Sequence, residues 1–543
     1  MSNTPDSQIN NTHTSSQGTS AQNSIEKNGK VDTAEVERIL ADKELTAKIL
    51  REKRGQNMQE SNTANAALAS ANKSAINRQA VYVVALVLVY FILGVFIISP
   101  FLQLLMRMVY DLFDSEWMAG VSASVDETRF YVMYHEMIKA INIVVYTAAG
   151  FLYIYWICRI IAERKNLRGR VPQYLVVLLP FIIFLMFDIG IILVTIIRGP
   201  NEYDLTGHPY MNESIFSYIL YPISYFFCGM MLYHDKWKKV LLYALVFTAL
   251  PVNFLAYLTK LGVQFPYYLK YSVIAVFHNS NHYGYYLAFV LMVSAMLFVY
   301  EKQIALKIIC FVSVCLGSLM LVINNTLGAY LATGIVLTFF LGNTITQNRR
   351  EIKAGERERY KGIKGFFKAI TESGTWQGAL FVLVFYVVFT LVLNTQYHTV
   401  VESFLKLFTD TGDIVKDPMG ADHAGSKRWL LWKQTVSHIP EHPFTGFGVE
   451  GLLNTYQVGT PHNEILQYAA FFGIPVTVLY LAACIITFVR VWMKRKKLHP
   501  ATMICFFVAV GYLVNSLFGV AIYYTTPFMF IFLGMAYAEC VKE

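Results

Sequence analysis

The chain has 543 residues, of which 55% are hydrophobic and only 15% are charged. Soluble globular proteins carry about 25% charged residues, so this composition excludes an ordinary soluble domain and indicates a membrane protein. The formal net charge of +9 does not indicate a nucleic-acid partner, because the basic residues lie in short segments between long apolar runs.

The first 79 residues differ in composition from the rest of the chain. Residues 1–24 are rich in serine, threonine, asparagine and glutamine and lack apolar periodicity, so we expect a cytoplasmic, mostly disordered region at 1–79. Within it, residues 33–54 predict a polar helix, because acidic residues suit its first turn and basic residues its last. Its thin apolar stripe fits a docking helix or a solvated helix.

Apolar runs long enough to cross a bilayer recur from residue 80 to residue 543, and they predict an all-α polytopic membrane domain. We expect about 12 transmembrane helices. Their predicted positions are 80–98, 139–161, 174–197, 215–233, 240–258, 282–300, 308–324, 326–343, 378–395, 466–490, 500–518 and 521–540. Only three polar residues, Asn324, Asn325 and Thr326, divide 308–343 into two spans.

The basic segments predict how these spans are oriented. With about 12 spans and a cytoplasmic N-terminus, every basic cluster falls on the cytoplasmic side, as the positive-inside rule requires. These clusters lie at 159–170, 236–239, 302–307, 349–368 and 490–497. The C-terminus is then also cytoplasmic, and the long polar loop at 396–463 faces outward.

This outward loop carries most of the candidate functional residues. Trp429 and Trp432 lie on a predicted amphipathic helix at 426–438, which we expect Gly425 and Ser426 to cap and Pro440 to end. The glycines at 443–448 indicate a tight turn that permits close backbone approach. The chain then re-enters the membrane, which predicts His462 at the N-terminal end of a helix, facing out.

Three groups of residues in the loop resemble, in this order, the O-antigen ligase and O-antigen (capsular polysaccharide) polymerase family. They are Arg428 with Trp432; Pro443, Thr445, Gly446 and Gly448; and His462-Asn463 followed by Leu466, Gln467 and Gly473. The resemblance is closest over 425–475. It extends more loosely over 275–475, where residues 277–282 (FHNSNH) are similar to an asparagine-containing segment of the family.

The resemblance implies a GT-C-like glycosyltransferase of the bacterial cytoplasmic membrane. Its donor would be an undecaprenyl-diphosphate-linked glycan, and its acceptor a hydroxyl of a glycan, a lipid or a protein. The reaction would take place on the periplasmic or exterior face and would use no metal and no other cofactor. Polymerase, ligase and protein O-glycosyltransferase activities all fit these motifs.

Catalytic roles fall, by the same resemblance, to Arg428 and His462. A guanidinium is always charged and binds phosphate oxygens in bidentate fashion, and an imidazole accepts a proton near neutral pH. Anchoring of Arg428 to lipid headgroups and plain hydrogen bonding by His462 are the structural alternatives. Further substrate-binding candidates are Trp432, Asn463, Glu464, His278, Asn281 and His282.

One position departs from the family pattern. Many members carry a second arginine at the start of a mid-chain span, where this chain has Leu327. We expect Arg198, at the outer end of the third predicted span, to supply the second cation, although it also suits a residue that snorkels at a helix end.

A lipid-linked glycan flippase or polysaccharide transporter is the alternative function. Such a protein should carry ionisable residues along a central cavity through many spans. This chain instead gathers its polar residues in one loop, which favours an enzyme.

Overall fold

The structure, a computed structural model, describes residues 33–113, 143–145, 147–152, 154–155, 158, 171–207, 213–223, 229–232, 235–263, 277, 279–521 and 525–542. The chain divides into two compact units, Met1–Tyr82 and Val83–Glu543. All regular secondary structure in the described ranges is helical. The predicted all-α class is therefore confirmed for this part of the chain.

In chain order the helices are Thr33–Phe113, Val171–Arg198, Glu202–Thr206, Ile215–Ile223, Gly229–Met231, Asp235–Lys260, Ser280–Tyr300, Ile304–Asn324, Leu327–Lys353, Gly362–Thr371, Trp376–Tyr397, Thr399–Lys416, Arg428–His438, Gly451–Tyr456, Glu464–Phe472, Ile474–Lys494, Pro500–Ser516 and Thr526–Lys542, with a 3-10 turn at Ile439–Glu441.

Within the described residues, 7 helices are long and apolar enough to cross a membrane. They are Leu179–Arg198, Lys236–Lys260, Ser280–Tyr300, Ile304–Asn324, Leu327–Lys353, Trp376–Tyr397 and Ile474–Lys494. Shorter apolar helices lie at Gln79–Val95, Ile143–Leu152, Pro500–Ser516 and Thr526–Cys540. The predicted spans 139–161 and 215–233 extend outside the described residues, so the total of about 12 stays a prediction.

The N-terminal helix is longer than the sequence predicts. It runs without a break over 81 residues, from Thr33 to Phe113, whereas separate helices at 33–54 and 80–98 with no regular structure between them were predicted. Residues 55–79 are rich in alanine and contain no proline, which favours a helix, although asparagine, a weaker helix former, is also frequent there.

The helix Ser280–Tyr300 is the centre of the membrane domain. In its apolar window 94% of the residues are buried, as expected for a helix that is apolar on every side. It packs against Ile304–Asn324, Leu327–Lys353 and Pro500–Ser516. The side chain of Asn279 caps its N-terminus by accepting a hydrogen bond from the Asn281 N–H at 2.7 Å, which fixes the start of the helix.

The predicted span at 466–490 is broken into two helices at Gly473. Gly473 has φ +84°, and a Cβ there would lie 2.6 Å from the carbonyl carbon of Phe444. Only glycine therefore permits the two backbones to approach so closely. The predicted single helix is wrong in this respect, because a tertiary contact overrides the continuous apolar pattern.

The glycine turn at 443–448 supplies hydrogen-bond donors to the broken helix. The N–H groups of Phe447 and Gly448 donate to the carbonyls of Ala470 at 2.7 Å and Phe471 at 2.9 Å. The turn also accepts a hydrogen bond, because the N–H of Ile474 donates to the Pro443 carbonyl at 2.8 Å. The close approach expected of this turn is thus confirmed, and its role is to pair backbone groups that the break sets free.

The helix predicted at 426–438 begins two residues later, at Arg428. Ser426 and Lys427 are left-handed, with φ 57° and 70°, and no side chain caps the helix. The predicted cap is therefore wrong. The N–H of Gly425 instead donates to the carboxylate of Asp410 at 2.7 Å, which ties this segment to the Thr399–Lys416 helix.

Candidate functional site

Two cavities meet beside the start of the central helix. The larger, of about 480 Å³, contains two cations, Arg428 and Lys406, and one acid, Asp410. Apolar side chains complete its wall: Leu327, Leu407, Ile414, Trp429, Trp432 and Phe518. This lining of cations beside apolar surface is suited to an amphipathic anion.

Arg428 is the first residue of its helix, Arg428–His438. Its Nη2 donates to the Oδ1 of Asn281 at 3.4 Å, a contact between residues 147 positions apart in the sequence. Burial lowers the pKa of Arg428 from its usual value. The group remains a cation because an arginine pKa lies far above neutral pH.

The smaller cavity, of about 230 Å³, adjoins the larger one at Asn281, which lines both. Its polar lining residues are Asn279, Asn281, His282, Tyr285, Glu450, Thr460 and His462. The structure thus brings together the predicted residues Arg428, Trp432, Asn281, His282 and His462 around two adjoining spaces.

Two backbone features hold His462 at this cavity. The residue is left-handed, with φ 50°, a conformation that non-glycine residues adopt only when the surrounding structure enforces it. The indole N–H of Trp432 donates to the carbonyl of Pro461 at 2.7 Å and fixes the preceding peptide. Burial and the nearby Arg428 lower the pKa of His462 to about 4. The imidazole is therefore neutral at neutral pH, the form that accepts a proton, although the lowered pKa makes it a weaker base than an ordinary histidine.

Glu450 is a residue of this cavity that sequence reasoning missed. Its side chain is 4% exposed, and the Thr460 hydroxyl donates to its Oε1 at 3.0 Å. It too is left-handed, with φ 53°, and burial raises the pKa of its carboxyl. An acidic residue directly after the glycine turn, within an apolar stretch, was the available signal.

The short helix Glu202–Thr206 fixes the position of Glu450 through its neighbour. The carboxylate of Asp204 accepts the N–H of Val449 at 2.9 Å, and the amide of Asn201 donates to the Val449 carbonyl at 3.1 Å. Both backbone groups of Val449 are thereby used, which holds the next residue in its strained conformation.

A comparison with known protein families assigns this part of the chain to a family. Residues 267–481 match the family described as O-antigen ligase. This part of the chain belongs to the O-antigen ligase family. The matched range contains Asn281, Arg428, Glu450 and His462, and a search of curated proteins finds no match. Together with its apolar helices, the match identifies a multi-pass membrane enzyme that transfers glycan and acts on a lipid-linked glycan substrate.

Arg198 is not brought to the cavities of this O-antigen ligase segment. Its guanidinium pairs with the carboxylate of Asp204 at 2.5 Å and donates to the Phe471 carbonyl at 3.3 Å. A Cβ on Gly448 would lie 2.6 Å from Arg198 Nη2, so this glycine makes room for the arginine. In the described structure Arg198 stabilises the joint between the glycine turn and the broken helix, and it lines neither cavity.

Asn463 and Glu464 also line neither cavity of the O-antigen ligase segment. The Asn463 side chain accepts the N–H of Leu466 at 3.1 Å and so caps the helix Glu464–Phe472. Glu464 is fully buried and accepts hydrogen bonds from the hydroxyls of Tyr480 at 2.9 Å and Tyr512 at 2.7 Å. Both contacts favour structural roles over the predicted substrate contacts.

Leu327 and His278 are the remaining positions that the sequence analysis singled out. Leu327, which occupies the place of the second arginine of the O-antigen ligase family, lines the Arg428 cavity. His278 lies outside the described residues. In the parts of the chain that the structure describes, no group of three or more His, Cys, Asp or Glu residues is arranged to hold a metal ion.

Proposed function

We propose that the protein transfers a glycan from undecaprenyl diphosphate to an acceptor hydroxyl, with the donor diphosphate in the Arg428 cavity and the acceptor in the His462 cavity. The observation that carries this proposal is the shared wall at Asn281. A leaving-group site and a nucleophile site must adjoin in a direct transfer, and these two cavities do.

The proposed step is a single displacement at the anomeric carbon of the donor sugar. The acceptor oxygen forms the new glycosidic bond, and its proton passes to the neutral imidazole of His462. The bond from the anomeric carbon to the diphosphate oxygen breaks with its electron pair, and undecaprenyl diphosphate leaves. The Arg428 cation stabilises the charge that develops on the leaving group.

We assign the second cation to Lys406 rather than to Arg198. A lipid diphosphate carries more negative charge than one guanidinium neutralises. Lys406 lines the same cavity as Arg428 and Leu327, and Arg198 is already paired with Asp204. The apolar part of the lining suits the first isoprene units of the lipid.

On the acceptor side, Glu450 is suited to orienting a sugar. A carboxylate accepts hydrogen bonds from two hydroxyls, and neighbouring ring hydroxyls supply such a pair. Glu450 and His462 line the same small cavity, of about 230 Å³. This favours a glycan acceptor over a lipid or protein hydroxyl. The proposed reaction takes place on the outer face of the cytoplasmic membrane and uses no metal ion.

The experiment reconstitutes the full-length protein in vesicles with a fluorescent undecaprenyl-diphosphate-linked oligosaccharide and a glycan acceptor. We expect a new glycosidic product from the wild type and from His423→Ala, an exposed loop histidine that lines neither cavity. Arg428→Ala and His462→Ala should form almost none. Movement of the lipid across the vesicle without bond formation would instead identify a flippase.

A further inference from the structure

We infer that the protein binds an anionic phospholipid headgroup in a second basic cavity, remote from the proposed reaction site. This cavity, of about 490 Å³, is lined by Arg349, Lys353, Arg357 and Arg359, with Tyr360 and Trp376 beside them. Glu358 is the acidic residue of its lining. The basic segment at 349–368 lines neither cavity of the proposed reaction, so its function calls for a separate explanation.

The two basic cavities lie at opposite ends of one helix. Leu327, the first residue of Leu327–Lys353, lines the Arg428 cavity, and Lys353, the last, lines this one. A helix of 27 residues is about 40 Å long, which is the thickness of a bilayer with its headgroups. The second cavity therefore lies at the level of the opposite headgroup layer, which charge placement predicts to be cytoplasmic.

Buried hydrogen bonds make the wall of this cavity rigid. The Asn348 side chain is 2% exposed; it donates to the Gly374 carbonyl at 2.8 Å and accepts the Trp376 N–H at 3.0 Å. Arg357 belongs to the wall as well, because its guanidinium pairs with Glu351 at 2.5 Å and donates to the Ser373 carbonyl at 3.1 Å. This leaves Arg349, Lys353 and Arg359 to bind an anion.

The neighbouring helix Gly362–Thr371 indicates that this anion is a lipid. Ile363 and Phe367 lie four residues apart on one face and are 79% and 61% exposed. Exposed apolar residues on a short basic helix are typical of a helix that lies in the membrane interface. Lys361, Lys364 and Lys368 belong to the same segment, and the ammonium of Lys368 lies 5.8 Å from the ring centroid of Tyr360 in the cavity.

A buried lysine holds this helix in place. The Lys307 side chain is 3% exposed, and its ammonium donates to the carbonyls of Ile370 at 2.9 Å and Thr371 at 3.1 Å at the C-terminal end of the helix. A cation buried against these carbonyls satisfies groups that a helix end otherwise leaves unpaired. The apolar face is therefore fixed beside the cavity, where acyl chains and a phosphate can be bound together.

The test titrates the detergent-solubilised full-length protein with phosphatidylglycerol and, separately, with phosphatidylcholine, and counts bound lipids by native mass spectrometry. We expect preferential binding of one phosphatidylglycerol. Each cation near an anionic headgroup strengthens binding about fivefold, so Arg349→Gln or Lys353→Gln should weaken it about fivefold. The triple variant with Arg359→Gln should weaken it about 100-fold.

A charge-matched control separates this cavity from general surface attraction. The triple variant Arg350→Gln, Lys496→Gln and Lys497→Gln removes the same charge from residues that do not line the cavity, and it should bind as the wild type does. Equal losses in both triple variants would overturn the proposal, as would equal binding of both lipids or competition by millimolar inorganic phosphate. An unchanged melting temperature confirms that each variant is folded.

Discussion

The carboxyl of Glu450 and the imidazole of His462 face one cavity and have pKa values displaced in opposite directions. Burial raises the pKa of Glu450 above its usual value of 4.5, whereas burial and Arg428 lower that of His462 to about 4. Both groups act in the deprotonated form in the proposed reaction. Each therefore loses its function as the pH falls through its own pKa, and Glu450 does so first.

This order predicts the pH profile of the Glu450→Gln variant. In the wild type, kcat/KM should fall on acidification through the raised pKa of Glu450. In the variant the remaining acid limb should lie near the His462 value of about 4, with a lower rate at neutral pH. Glu402→Gln, an exposed glutamate of the outward loop, should keep the wild-type profile. Identical acid limbs in wild type and Glu450→Gln would show that Glu450 has no part in the reaction.

Lys406 yields a second prediction at the residue scale. If its ammonium binds the donor diphosphate, Lys406→Met should raise the KM for the lipid-linked donor about 10- to 100-fold, since a charge-assisted hydrogen bond contributes about 1.5–3 kcal/mol. Lys416→Met is the matched control, because Lys416 is exposed on the same helix and does not line the cavity. An unchanged donor KM in Lys406→Met would show that Lys406 does not bind the donor diphosphate.

At the scale of elements, the joint between the glycine turn and the broken helix supports the cavity residues. A Cβ on Gly446 would lie 2.5 Å from the backbone of Phe471, and Gly446 has φ +63°. Gly446→Ala should therefore lower the free energy of unfolding by about 2 kcal/mol or more and reduce activity. Gly412→Ala is the control, because its Cβ would meet nothing within 4 Å. Thermal unfolding in detergent measures both variants, and equal melting temperatures would contradict this reading of the turn.

The same elements show what the sequence predicts and what it does not. Apolar runs predicted most membrane helices, because burial in lipid depends on composition. The break at Gly473 and the late start of the helix at Arg428 depend on contacts with distant segments, the glycine turn and Asp410. A local pattern contains no information about such contacts, so both were predicted incorrectly.

At the scale of the whole molecule, the candidate site combines residues that sequence motifs marked with residues that only the fold reveals. Motifs in the sequence marked Arg428, His462 and Asn281 as candidates, and the fold places them around two adjoining cavities, while their roles stay a proposal. Lys406 was missed because no local pattern tells which face of the helix Thr399–Lys416 turns toward a cavity. Glu450 was missed although an acidic residue just after the glycine turn was a usable signal. Arg198 was chosen for its charge and predicted depth, whereas its carboxylate partner Asp204 becomes apparent only in the fold.

The orientation of the molecule is a further prediction at this scale. If the Arg428 cavity faces outward, a cysteine at Lys416 should react with a membrane-impermeant maleimide added to intact cells. A cysteine at Arg359, beside the second basic cavity, should react only after the membrane is permeabilised. Both are introduced after replacement of the 7 native cysteines. The opposite pattern would show that the predicted orientation is wrong.

The most direct test of the central claim measures donor binding and single-turnover transfer separately in the same variants. We predict that His462→Ala binds the lipid-linked donor as tightly as the wild type but forms the glycosidic bond about 10²–10⁴-fold more slowly. Arg428→Ala should lose donor affinity as well as rate. Wild-type transfer by His462→Ala, together with unchanged donor binding by Arg428→Ala, would contradict the assignment of these adjoining cavities to one reaction.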